Sequence, residues 1–368
     1  MYIFEVINHN LFRMRKLLLW IVIITSCTPQ DQNQQLTSHE ESIFSTTCTK
    51  ITDLDVLVYT IPSKEDTIQY IKIGTDTTSV KPTILFLQGS LPIPLIIDSK
   101  DFKHINIPFQ YSELIKEFHL IEISMPNTPI EVMSSKLNKQ YCFVTDTANQ
   151  NSFKEEYLKN NYLDNYVERA NIVISDLLSQ KWVDKNQIHI IGHSQGAKIA
   201  AVVASKNKNI ATLSLLGFNA FGRFDENIRR ERNNFRQKKI TGDEYLNNIE
   251  NHYKRWEQIY QNPNNYENGN LNWTSFSIDY VPFLLNINVP IFVGYGTEDI
   301  SAENGDLLPI IFIENKKQNL TVKPYVGLEH NFFEIKNGNP DYQNGGNWNK
   351  VINDVLVWMK NNKSNTLE

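Results

Sequence analysis

The sequence has 368 residues, 41% of them hydrophobic and 21% charged, with a formal net charge of −5. That length and composition support a globular chain with a large core, and the mildly acidic balance gives no bulk attraction for nucleic acid, so no such partner is expected. The 3 cysteines form no CxxC pair and no His/Cys spacing suited to a zinc site, and the chemistry read from the motifs below requires no metal or organic cofactor.

In chain order the first feature is "RMRKLLLWIVIITSC", residues 13 to 27. Arg13, Arg15 and Lys16 precede an apolar run from Leu17 to Ile24, far shorter than the roughly 20 residues needed to span a bilayer. A basic flank and a short apolar region are the pattern of a secretory signal. The run ends in Ile24-Thr25-Ser26-Cys27, which resembles the lipobox of bacterial lipoproteins. The resemblance implies that residues 1–27 are a signal peptide, that Cys27 is lipidated, and that the protein is extracytoplasmic and held to a membrane through a lipid anchor at Cys27. "TPQDQNQQLTSHEES" follows, so residues 28–49 read as a polar tether before a domain at 50–362. Cys48 and Cys142 remain as thiols in a compartment that permits a disulfide, and the sequence leaves their pairing open.

Apolar alternation over 55–61 and 67–73 predicts an antiparallel strand pair across a Ser-Lys-Glu-Asp turn. "TILFLQG" (83–89) is a continuous apolar run closed by glycine, as in a strand buried on both faces. A short helix at 111–118 and a strand at 119–126 follow, then a long amphipathic helix from Glu155 to Trp182. "QIHIIG" (187–192), "IATLSLLG" (210–217), "VPIFVGYG" (289–296) and "NLTVKPYV" (319–326) read as strands, and "NWNKVINDVLVWMKNN" as a closing helix. Alternating strands and helices predict an α/β class chain with a mostly parallel sheet of roughly eight strands, helices on both faces. The alternation breaks over 221–283, a charged segment of helical pattern expected to be a cap inserted after the sixth strand. Its interleaved charges read as a solvated helix face. Trp256, Tyr260, Trp273, Phe276 and Tyr280 could line a pocket or form the insert's own small core, and the second reading is favoured.

"GHSQG" lies between the strand at 187–192 and an Ala-rich helix from Ala197 to Ser205. Gly-x-Ser-x-Gly in that setting suits a serine exposed on a sharp strand-to-helix turn, where bulkier neighbours would clash. Such a serine attacks nothing without a base and an orienting carboxylate. His330 in "LEHNF" follows the last predicted strand, and Asp299 in "GYGTED" follows the strand ending at Gly296. Strand C-termini are where chemistry gathers in open parallel sheets. Asp299 could instead cap the helix starting near Ser301, and Glu298 and Asp306 are rival acids.

With those motifs and the order Ser194, Asp299, His330, the chain resembles the α/β-hydrolases over roughly residues 50 to 362. The resemblance implies Ser194 as nucleophile, His330 as base and Asp299 as its carboxylate partner, with Gln195 and Ser90 giving oxyanion-hole amides. At Gln88-Gly89-Ser90-Leu91 the chain departs from the His-Gly common in that family; a backbone donor needs no histidine there. The implied activity is that of a serine hydrolase cleaving a carboxylic ester, its partner a small-molecule or acyl substrate. The alternatives are a prolyl-oligopeptidase-like peptidase, an acyl-thioesterase, or a catalytically silent binding lipoprotein of the same fold.

Overall fold

The structure, a computed structural model, describes residues 46–63 and 66–362. The expected signal peptide with Cys27, and the tether up to residue 45, lie outside the described residues. A central sheet of nine strands organises the rest. They are β1 (Thr47–Ile51), β2 (Val56–Ile61), β3 (Ile68–Ile73), β4 (Lys81–Leu87), β5 (His119–Ile123), β6 (Val183–His193), β7 (Ile210–Leu216), β8 (Ile291–Gly296) and β9 (Leu320–Tyr325). Their spatial order is β1-β2-β3-β5-β4-β6-β7-β8-β9. The first three strands and the β3–β5 pair are antiparallel, and every pairing from β5 to β9 is parallel.

The expected eight strands are present with one more in front. β1 lies partly within the stretch read as tether, and its burial shows why it escaped detection. Four of its five residues are exposed, so it adds backbone hydrogen bonds to β2 without an apolar face to give a period. Cys48 sits exposed on this edge strand and Cys142 is buried; both are free thiols.

The helices are α1 (Leu114–Glu117), α2 (Glu155–Asn160), α3 (Leu163–Ser179), α4 (Gln195–Lys206), α5 (Arg223–Arg236), α6 (Gly242–Gln261), α7 (Asn270–Phe276), α8 (Val281–Asn286), α9 (Leu308–Glu314) and α10 (Trp348–Asn361). Side chains alternate across each strand, and β4 shows the consequence. Leu85 and Leu87 join one apolar layer with α3, α4 and α9, while Ile84 and Phe86 join another with α1 and α10. Small Ala197, Ala200 and Ala201, all fully buried, let α4 lie close against β6 and β7.

The single helix expected over 155–182 is broken in two and ends earlier. Asn161 and Tyr162 leave the helical path because Asn272 and Tyr166 claim the Asn161 polar groups, the Asn272 amide donating to both its oxygens at 2.9 Å. The insert forms α5 to α8 between β7 and β8. α5 has no fully buried residue, yet most of its residues are half-buried and its first turns line a cavity, so only part of it is the solvated face expected, and α6 starts with a capping box of Thr241 and Glu244. Near its end the insert merges with the main core through Leu284. A small three-stranded sheet, Ile96–Asp98, Lys103–Ile105 and Glu131–Met133, was not anticipated. Among the described residues no helix is long and apolar enough to cross a membrane.

Candidate active site

Ser194 stands where β6 ends and α4 begins, with φ +56° and ψ −118°. A non-glycine residue in such a conformation carries strain of about 1–3 kcal/mol and persists only where its surroundings fix it. Here the fixing is steric. A Cβ on Gly192 would stand 2.4 Å from the Gly196 carbonyl oxygen, and one on Gly196 would stand 2.0 Å from that of Leu87. Both glycines of the motif are therefore demanded by backbone packed against backbone. The Ser194 N–H donates to the Leu216 carbonyl at 2.8 Å, tying the turn to the end of β7.

The structure brings the three separated residues together. Ser194 Oγ lies 2.8 Å from His330 Nε2, and His330 Nδ1 lies 2.8 Å from Asp299 Oδ2. With Nδ1 donating to the carboxylate, Nε2 is free to accept the serine proton. Asp299 also caps the short helix after β8, through its other oxygen. Oδ1 accepts the Ser301 N–H at 2.9 Å and the Ser301 hydroxyl at 2.6 Å, so capping and imidazole orientation are one arrangement. Burial works to raise the Asp299 carboxyl, but the His330 ring and the Ser301 hydrogen bonds outweigh it and hold it below its ordinary value. For His330 burial works downward, and the Asp299 carboxylate overcomes it to leave the imidazole above its ordinary value. The rival acids are elsewhere: Glu298 is exposed, and Asp306 accepts from the Tyr295 hydroxyl. Gly217, at φ +57°, leaves the pair its room, since a Cβ there would lie 3.1 Å from His330 Cε1.

Two neighbours were not found from the sequence. Ser301 Oγ is also 2.9 Å from His330 Nδ1, so it braces the carboxylate and the ring at once. His193, the variable residue before the serine, is 8% exposed and sends its Nε2 proton to the His330 carbonyl at 3.0 Å. Burial, then the His330 ring, pushes His193 down to about 3, so it stays a neutral donor that pins the His330 loop. Only its place inside the motif could have marked it.

The two expected oxyanion donors reach the same place. Gln195 is the first residue of α4, where the N–H has no intrahelical acceptor. The 88–91 loop runs beside the serine, a Cβ on Gly89 falling 3.6 Å from Ser194 Cβ. Ser90, Leu91, Gln195, Ser194 and His330 all line one cavity of about 440 Å³.

The insert forms one wall of that cavity. α5 is tied to the turn bearing Asp299 by Arg229, which pairs with Asp225 at 3.0 Å and Glu303 at 2.9 Å, and by the Asn304 amide donating to Asp225 at 2.6 Å. Arg223 at the start of α5 enters the wall, its guanidinium donating to Gln195 Oε1 at 2.5 Å and also to Asn272 Oδ1. Lys198 of α4 lines the cavity as well. The insert aromatics divide, against the expectation of a single small core. Trp273 lines the cavity, Phe276 and Tyr280 belong to the main core, Trp256 packs tilted against Phe224 with ring centroids 4.4 Å apart, and Tyr260 is exposed. Among the described residues no group of three or more His, Cys, Asp or Glu could hold a metal ion.

No protein-family model matches the sequence, and no curated protein matches it significantly. Solved structures do. An α/β hydrolase, GrgF from Penicillium sp. sh18, superposes with a TM-score of 0.50 at 11% identity, over 84% of this chain and 99% of the other. The chain has the α/β-hydrolase fold. Acetyl xylan esterase from Paenibacillus sp. R4 matches with a TM-score of 0.46 at 14% identity, over 87% of this chain and 89% of that one. The acylaminoacyl peptidase of Pyrococcus horikoshii matches with a TM-score of 0.47 at 12% identity, over 89% of this chain and 43% of that one. The hydrolase fold hosts many reactions, so activity has to be argued from the site.

Proposed function

We propose that the protein is a serine hydrolase that transfers the acyl group of a carboxylic ester to water through an acyl-enzyme on Ser194. One observation carries the reading: an unbroken chain of hydrogen bonds, 2.8 Å and 2.8 Å, from Ser194 Oγ through His330 to buried Asp299, opening on a cavity. In the first step Ser194 Oγ bonds to the ester carbonyl carbon as its proton passes to His330 Nε2. Asp299 holds the ring in the tautomer that can take that proton and stabilises the imidazolium. The N–H groups of Gln195 and Ser90 receive the negative oxygen, a contribution of about 3 kcal/mol for each such donor. His330 then returns the proton to the departing alkoxide, and a water, deprotonated by the same ring, releases the acid and restores Ser194.

Lipidation at Cys27 and an extracytoplasmic, membrane-anchored location complete the proposal; they rest on the sequence pattern before the described residues. Cys27→Ala should move the protein from the membrane to the soluble fraction, and an unchanged membrane fraction would contradict the anchor.

Activity is tested with p-nitrophenyl acetate and butyrate beside an aminopeptidase substrate and an acyl thioester. Turnover of the esters should fall at least about 10,000-fold in Ser194→Ala. Ester turnover that survives in that variant would place the chemistry elsewhere, and preference for the anilide or thioester would change the substrate class.

A further inference from the structure

The cavity wall holds a charge that the hydrolytic chain does not use. Lys198 is only 6% exposed, yet its ammonium makes no hydrogen bond or ion pair among the described residues. It lies 5.7 Å from the Tyr280 ring centroid, a weak substitute for water or a carboxylate. Leaving a buried ammonium unpaired is costly, so an unpaired one in a pocket points to a partner that arrives with the ligand. Burial, then repulsion from Arg223, pushes Lys198 down to about 7, which registers the same missing partner.

Lys198 stands in the first turn of α4, which begins directly after Ser194, and both residues line the same cavity. Side chains on a helix lean toward its N-terminus, so the lysine stem leans back toward the serine end. Arg223 adds a second positive charge to the wall, but its fork is already given to Gln195 and Asn272. The one carboxylate lining the cavity, Glu226, is engaged by Arg230. The wall is thus positive, with a free ammonium lining the same cavity as the nucleophile.

We infer that the cavity selects esters whose acyl chain carries a carboxylate a few bonds from the scissile carbonyl, the carboxylate pairing with Lys198 under the field of Arg223. A single free ammonium fits a monoanion better than a dianionic phosphate. The inference deepens the hydrolase reading and rests on it for the word substrate, but its test does not need turnover.

The probes are monomethyl succinate and methyl butyrate, esters of matching length that differ in a terminal carboxylate. In ligand-detected NMR titrations of the Ser194→Ala protein, monomethyl succinate should bind at least tenfold more tightly than methyl butyrate, with the advantage reduced by salt. Lys198→Met in the same background should remove the difference, and Lys198→Arg should keep part of it. Equal binding of the two esters, or a difference that survives Lys198→Met, overturns the inference. With the intact nucleophile, p-nitrophenyl hemisuccinate should exceed p-nitrophenyl butyrate in kcat/KM by a similar factor. Turnover without that preference sinks the inference alone; succinate binding without any turnover sinks the hydrolase reading alone.

Discussion

Arg169 of α3 and Lys198 of α4 are buried cations, 3% and 6% exposed, on helices that pack against each other. Arg169 is answered on several sides. It pairs with Asp66 and donates to the Ser124 carbonyl at 2.9 Å and hydroxyl at 3.2 Å, while Asn127 holds the same aspartate. Lys198 has no such partners and borders a cavity instead. The contrast separates a charge used to join elements from one held ready for a ligand. Burial alone does not distinguish them; the partner list does.

The predictions probe that contrast, beginning with the largest effect. His330→Ala should lower the hydrolysis of both p-nitrophenyl esters at least about 10,000-fold while leaving the ratio between them intact, because chemistry and anion capture use different groups. In the wild type, kcat/KM should fall on the acid side as His330 gains a proton and can no longer accept one. The midpoint should lie above the ordinary imidazole value of about 6.5, since the neighbouring Asp299 raises it. Asp299→Asn should move that limb to lower pH; an unmoved limb would break the assigned pairing.

Next comes the matched cation. Asp66→Asn leaves Arg169 buried without its counter-charge and should cost about 3–5 kcal/mol in denaturant unfolding. The preference for the succinyl ester should be unaffected in the folded fraction. A smaller effect tests the unmatched cation by pH. The groups around Lys198 are Arg223, which repels it, and Asp225 and Glu226, which attract it. Because the ammonium deprotonates near a pH of about 7, the succinate preference should be full below that pH and fade above it. The smallest effect is on stability: Lys198→Met should stabilise the fold by on the order of 1 kcal/mol by removing an unpaired buried charge. A clear destabilisation would mean the lysine has a structural partner after all.

Which parts were legible in the sequence follows from what leaves a local signal. Ser194 and Asp299 are legible because each follows a strand with a continuous apolar run, and Ser194 carries a glycine frame as well; His330 follows the weaker pattern LTVKPY, in which only Tyr325 is buried. β1 was not, because an exposed edge strand buries nothing and has no period. The break at Asn161 was invisible for a different reason: no glycine or proline marks it, and its cause is Asn272, more than a hundred residues away. Ser301 and His193 act through contacts made only after folding. Lys198 is a lone polar residue in an Ala-rich stretch, and Arg223 lies in the run "RFDENIRRERNNFRQ", whose interleaved charges read as a solvated face. Their meaning depends on which charges end up beside them, and that is a property of the folded cavity.

The most direct test of the hydrolytic assignment is mass spectrometry of the whole chain after treatment with a fluorophosphonate, which phosphonylates only a serine activated by its base. The expected result is a single adduct mapped to Ser194, absent in Ser194→Ala and formed far more slowly in His330→Ala. No adduct on the folded protein, or one that persists in Ser194→Ala, would contradict a nucleophile at that turn.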